Sequence, residues 1–151
     1  NYEDYDGSGD HVRYVFGYKQ ININGQTYNL FPIIIAGTYE KEWFSDFSIG
    51  TSTDHEGFRN AADELLKDFN TYISNHTNSY DHNIIFTTGH SRGAAISNLV
   101  AKALTDSDQY APKNKIFAYT FATPNVSKDA PGTENKYSNI WKEAKKPVMV
   151  F

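Results

Sequence analysis

The chain contains no cysteine in 151 residues. Disulfides and thiolate metal sites are therefore excluded. The absence does not fix a compartment, which stays open, with a secreted or cell-surface setting slightly favoured. No apolar run approaches the ~18 residues of a membrane-spanning helix. Basic charge is not in excess: 14 Lys and Arg stand against 18 Asp and Glu, a net charge of −4. Nothing in that balance marks a nucleic-acid face, so no nucleic-acid partner is expected. There are no internal repeats and no linker. What is present suits a packed domain. Apolar residues make up 39% and aromatics 15%, with 11 Tyr and 10 Phe. A chain of this size can bury a real core. A single domain over residues 1–151 is expected, with residues 1–10 as an acidic tail. The chain opens on Asn1, which reads as a processed or trimmed piece.

The stretch Ile84-Ile85-Phe86-Thr87-Thr88-Gly89-His90-Ser91-Arg92-Gly93-Ala94-Ala95-Ile96 organises the rest. It reads as a buried strand, a tight turn and a helix that begins at once. Gly89, Ser91 and Gly93 fit Gly-x-Ser-x-Gly. A nucleophile needs that pattern because glycines two residues to either side keep β-carbons out of a crowded bend. The helix start behind the serine also aims backbone N–H groups at a developing oxyanion. Three fixed positions arise by chance in roughly one such chain in twenty. The context narrows this, since a β-rich run precedes the motif. After it, Ala94, Leu99, Val100, Ala103 and Leu104 recur at helical spacing. The competing reading is a serine that merely caps the helix.

Other segments follow by pattern. Asp4, Asp6 and Asp10 alternate with Gly7 and Gly9 as in a calcium loop. The closing position holds Val15, however, and no helical pattern flanks it, so a solvated acidic tail is the preferred reading and no metal is expected. Val12, Tyr14, Phe16 and Tyr18 alternate, then Ile21 and Ile23. Thr27 to Ala36 is β-rich, and Asn24-Gly25 between them is a type I′ turn signal. An antiparallel hairpin is expected, with a bulge or entry point at Pro32. Gly37-Thr38 would end its second arm at a sheet edge where ligands bind, with Gly37 as an ordinary turn residue the equal alternative. Phe58, Ala62, Leu65, Phe69, Tyr72 and Ile73 predict a helix over about 55–75, with Asp54 as its N-cap. His55 there is a helix-start residue and not a metal ligand, because no second histidine lies one turn on. Lys115 to Ala122 reads as another buried strand. The order strand, helix, strand, helix, strand gives two βαβ units and a parallel core sheet.

Together these segments resemble the α/β-hydrolase fold and, within it, the class 3 lipase family, most closely its bacterial members. Gly89-His90-Ser91-Arg92-Gly93 is similar to the family's nucleophile elbow. Ile35-Ala36-Gly37-Thr38 resembles its strand ending in Arg-Gly-Thr. Glu42-Trp43-Phe44-Ser45-Asp46-Phe47 resembles its Trp-containing segment, and His55-Glu56-Gly57-Phe58 its His-x-Gly-Phe. Phe121-Ala122-Thr123-Pro124-Asn125-Val126 resembles its Phe-Gly-Ser-Pro-Arg-Val. The likeness spans roughly residues 30 to 141. It implies a central, mostly parallel sheet with helices on both faces. It also implies a serine hydrolase of carboxylic or lipid esters acting through an acyl-enzyme, needing no cofactor and meeting lipid interfaces transiently. Ser91 would be the nucleophile, with Thr38 and Arg92 giving oxyanion-hole N–H groups.

Two departures stand out. Ala36 replaces the family's usual Arg. No aspartate follows Trp141, Lys146 falls where the triad acid belongs, and Glu143 is a weak substitute. No histidine follows His90, and His11, His55, His76 and His82 come too early in the chain. The favoured explanation is that this is part of a longer lipase, feeble by itself. The alternatives are an inactive hydrolase-fold binding or structural module, and a site completed by another chain.

Overall fold

A computed structural model of the chain describes residues 2–6, 12–37, 52–78, 82–110 and 114–123. These form six strands and two helices in the order β1 (Tyr2–Asp6), β2 (Arg13–Gly17), β3 (Lys19–Ile23), β4 (Gln26–Ile35), α1 (Ser52–His76), β5 (Asn83–His90), α2 (Arg92–Asp106) and β6 (Lys115–Phe121). The strands make one mixed sheet, ordered β1-β2-β4-β5-β6, with β3 also paired to β4.

The expected hairpin forms. Asn24 and Gly25 at its tip have φ of 52° and 82°, the two left-handed residues that a type I′ turn needs. β2 and β3 pair with β4 in one register, with Phe16 opposite Ile33 and Lys19 opposite Leu30. Gly17 and Tyr18, between them, face Phe31 and Pro32. The ladder is interrupted where the partner strand includes a residue with no N–H to donate. Pro32 thus causes neither the bulge nor the entry point expected of it: β4 continues through it, and Pro32 pairs in parallel with Phe86 of β5.

From β4 onward the sheet is parallel, β4 to β5 to β6. α1 and α2 are the two crossovers. Both crossovers step the same way along the sheet, and right-handed connections then place both helices on the same face. Burial agrees. Phe16, Phe31, Ile33 and Ile85 alternate onto that face and are fully buried with Leu65 and Phe69 of α1 and Ile96 and Val100 of α2. On the opposite face Ile34 and Phe121 are about half exposed. Among the described residues, then, helices cover one face and not both. Covering the second requires strand order to reverse, which β4, β5 and β6 do not do.

α1 begins three residues earlier than its apolar spacing predicts, so Asp54 lies inside its first turn rather than at the N-cap. All six predicted core positions on it are buried. Phe69 meets Phe16 edge-on at 5.4 Å. Tyr14 donates to Asp68 Oδ2 at 2.7 Å, tying β2 to α1. Each large side chain so buried contributes roughly 2–3 kcal/mol. No helix among the described residues is long and apolar enough to cross a membrane.

Residues 2–6, expected in a solvated tail, instead form the edge strand β1, antiparallel to β2. Pairing satisfies the backbone edge of β2, and the exposed Glu3 and Asp4 discourage further strand addition. Asp4 and Asp6 lie in extended backbone, so they do not curl round an ion as a calcium loop would; Asp10 is outside the described residues. At the amino edge of the parallel strands, asparagines link three of them, Asn83 and Asn114 buried and Asn29 half-buried. Asn29 Nδ2 donates to Asn83 Oδ1 at 3.1 Å, and the Asn83 N–H donates to Asn114 Oδ1 at 3.0 Å.

Candidate active site

The opposite, carboxyl edge carries the serine. β5 ends at His90, α2 starts at Arg92, and Ser91 alone makes the turn between them. Its backbone sits at φ 55°, ψ −120°. For a residue with a side chain that is a sparsely populated region, costing of order 1–3 kcal/mol, and it persists only where the surroundings enforce it. Three hydrogen bonds do so. The Ser91 N–H donates to the Phe121 carbonyl of β6 at 3.0 Å. The Ser91 carbonyl accepts from the N–H of Ala94 at 3.0 Å and of Ala95 at 3.2 Å. The side chain is partly exposed and makes no capping hydrogen bond to α2. A serine serving as an ordinary N-cap would make that bond, so the competing reading loses its support.

Glycine lets the pieces come this close. A β-carbon on Gly89 would lie 2.4 Å from the carbonyl carbon and oxygen of Gly93. One on Gly93 would lie 2.5 Å from the Ile35 oxygen and 2.8 Å from the Ala36 oxygen. The end of β5, the first turn of α2 and the end of β4 therefore stack backbone on backbone. Gly37 continues this: a β-carbon there would meet the His90 oxygen at 2.9 Å. The segment leaving β4 thus passes against the serine turn. Thr38, the next residue, is outside the described residues, as are the Trp43 segment and everything after Thr123.

Arg92 opens α2, so its backbone N–H belongs to the first helical turn, whose amides point out of the helix end. Its guanidinium lies over the Phe58 ring of α1, 6.0 Å from the centroid. The helix start therefore presents backbone at the serine, while the arginine side chain reaches across to the neighbouring helix.

Among the described residues, no histidine completes a catalytic set with Ser91. His82 precedes β5 at its far end, roughly 30 Å from Ser91 along an extended strand. His76 closes α1, its ring 4.2 Å from that of Tyr72 and 4.9 Å from that of Tyr18. His90 adjoins Ser91 in sequence and is exposed beside Gly37. His11 and the side chain of His55 are outside the described residues, and so is Glu143. Among the described residues no three His, Asp or Glu side chains group as a metal site. Burial, reinforced by the charge of Glu3, raises the Tyr72 phenol above its ordinary value of 10.0. Tyr72 lies near the C-terminus of α1, away from the serine.

Sequence reasoning missed the carbonyl of Phe121 as the partner of the Ser91 amide. The signal was present in Phe121-Ala122-Thr123, which ends the neighbouring strand, but the bond depends on cross-strand register.

A serine bent sharply out of a parallel strand into a helix, at the carboxyl edge of the sheet, has the geometry by which α/β hydrolases present a nucleophile. A family model of class 3 lipases matches residues 24–143. The chain belongs to the class 3 lipase family. That family implies an α/β-hydrolase fold, with which the mixed sheet and two crossover helices are consistent. The match is slightly wider than the span over which the motifs resemble the family. Comparison with curated proteins and with solved structures gave no match.

Proposed function

We propose that this chain carries the nucleophile and oxyanion hole of a serine-dependent hydrolase of carboxylic esters, lipid esters above all. In this reading residues 1–151 belong to a single hydrolase domain of a longer lipase. Ser91 Oγ attacks the ester carbonyl carbon while a base takes its proton. The oxyanion of the tetrahedral intermediate accepts hydrogen bonds from the backbone N–H of Arg92 and from Thr38. Collapse expels the alcohol and leaves an acyl-enzyme on Ser91, which water hydrolyses. Each oxyanion donor contributes about 2.7–4 kcal/mol to such a step. The substrate is a small-molecule ester or lipid, met by transient contact with its interface, and no cofactor takes part.

One observation carries the reading: Ser91 is held in a strained backbone conformation with its hydroxyl not used for capping. A serine without a base is a poor nucleophile, and the sequence has no histidine beyond His90. Turnover of p-nitrophenyl esters by this chain alone is therefore expected to be feeble, and to rise when imidazole is added as a substitute base. Fluorophosphonate labelling that survives Ser91→Ala would overturn the assignment.

A second reading, a hydrolase-fold module that binds without turnover, is favoured by the remoteness of His76 and His82 from Ser91. It predicts ester binding with no adduct on Ser91 even in imidazole.

A further inference from the structure

We infer that the corner Thr120–Thr123, at the end of β6, is a positioning device for Ser91. The inference rests on the nucleophile reading above and extends it to residues outside the Gly-x-Ser-x-Gly turn. The Ser91 N–H is anchored on the Phe121 carbonyl at 3.0 Å. That carbonyl belongs to the peptide plane joining Phe121 to Ala122, so its direction depends on the backbone of Ala122. Ala122 is left-handed, with φ 49°, a conformation that a residue with a β-carbon does not choose unaided. A hydrogen bond closes over this corner: Thr123 Oγ1 donates to Thr120 Oγ1 at 3.0 Å. Thr120 is itself fixed, being 2% exposed and on the helix-covered face of β6, opposite Gly89. The chain of cause runs from the threonine bridge to the Ala122 corner, to the Phe121 carbonyl, to the Ser91 amide. Thr120, Ala122 and Thr123 are positioning residues, since none of them needs to touch substrate.

The test compares Thr123→Val, which removes the hydroxyl from an exposed site, with Thr123→Ser, which keeps it. Two quantities are read in the 151-residue chain. One is hydrogen exchange at the Ser91 amide, with the Ile85 amide in the buried part of β5 as reference. The other is the rate of fluorophosphonate addition to Ser91 in imidazole. Loss of one neutral hydrogen bond should make the Ser91 amide exchange about five- to tenfold faster in Thr123→Val and slow phosphonylation by a similar factor. Ile85 exchange should not change, and Thr123→Ser should behave as the parent. An unchanged Ser91 amide in Thr123→Val overturns the inference. So does equal acceleration at Ser91 and Ile85, which would mean general loosening. If the parent chain is never phosphonylated at Ser91, the nucleophile reading fails, and the exchange comparison still decides the positioning.

Discussion

A β-carbon on Gly93 would stand 2.5 Å from the carbonyl oxygen of Ile35. Helix α2 thus begins in direct contact with the backbone of β4, two strands away from β6. Neither side can yield, because both are main chain. Gly93→Ala is expected to destabilise the fold by about 3 kcal/mol or more, beyond ordinary overpacking, and Gly89→Ala similarly. Gly25→Ala meets nothing within 4 Å but is forced to φ +82°, so it should cost only ~1 kcal/mol. Urea unfolding of the three variants checks the order.

Ala122 inverts the usual rule for glycine. Alanine to glycine in a strand ordinarily costs roughly 0.5–1 kcal/mol. At φ 49° the alanine already bears a left-handed strain of about 1–2 kcal/mol. Ala122→Gly should therefore leave stability unchanged or raise it by up to ~1 kcal/mol, read as the urea midpoint.

Asn114 offers a control at the far edge of the sheet. It is buried and accepts from the Asn83 N–H at 3.0 Å. Asn114→Ala strands that amide and should cost about 1–3 kcal/mol. Because Ser91 lies at the other edge, the rate of its modification should be unchanged in the folded fraction.

Tyr72 should make the fold less stable in alkali. Its phenol is raised above 10.0 by burial, with Glu3 adding to the effect. The neutral form is the one the fold favours, so its contribution is complete below the unfolded value and is lost as pH rises through the folded one. Stability measured from roughly pH 8 to 11 should fall at the top of that range, and less steeply in Tyr72→Phe.

What could be read in advance was local. Asn24-Gly25 announced its own turn, because few residues tolerate two left-handed positions. Gly89, Ser91 and Gly93 lay between a β-rich run and a helical period, so strand, bend and helix could all be placed. β1 was not legible, since in Tyr2–Asp6 the two apolar residues, Tyr2 and Tyr5, stand three apart without alternation, and this acidic strand takes its structure from the free edge of β2. The start of α1 was missed because Ser52 to Asp54 add nothing to the apolar period. That both helices share a face follows from strand order, which no local pattern encodes. The bond from Ser91 to Phe121 joins residues thirty apart in sequence through a register that appears only once β5 and β6 are paired. Thr38 remains a proposal from the resemblance, supported by the contact of Gly37 with His90.

The most direct test is to find which residue takes up a fluorophosphonate, by mass spectrometry, with and without added imidazole. The adduct should fall on Ser91, form faster as imidazole is raised, and vanish in Ser91→Ala. An adduct on any other residue, or none at Ser91 at any imidazole concentration, would contradict the claim that this serine is the nucleophile.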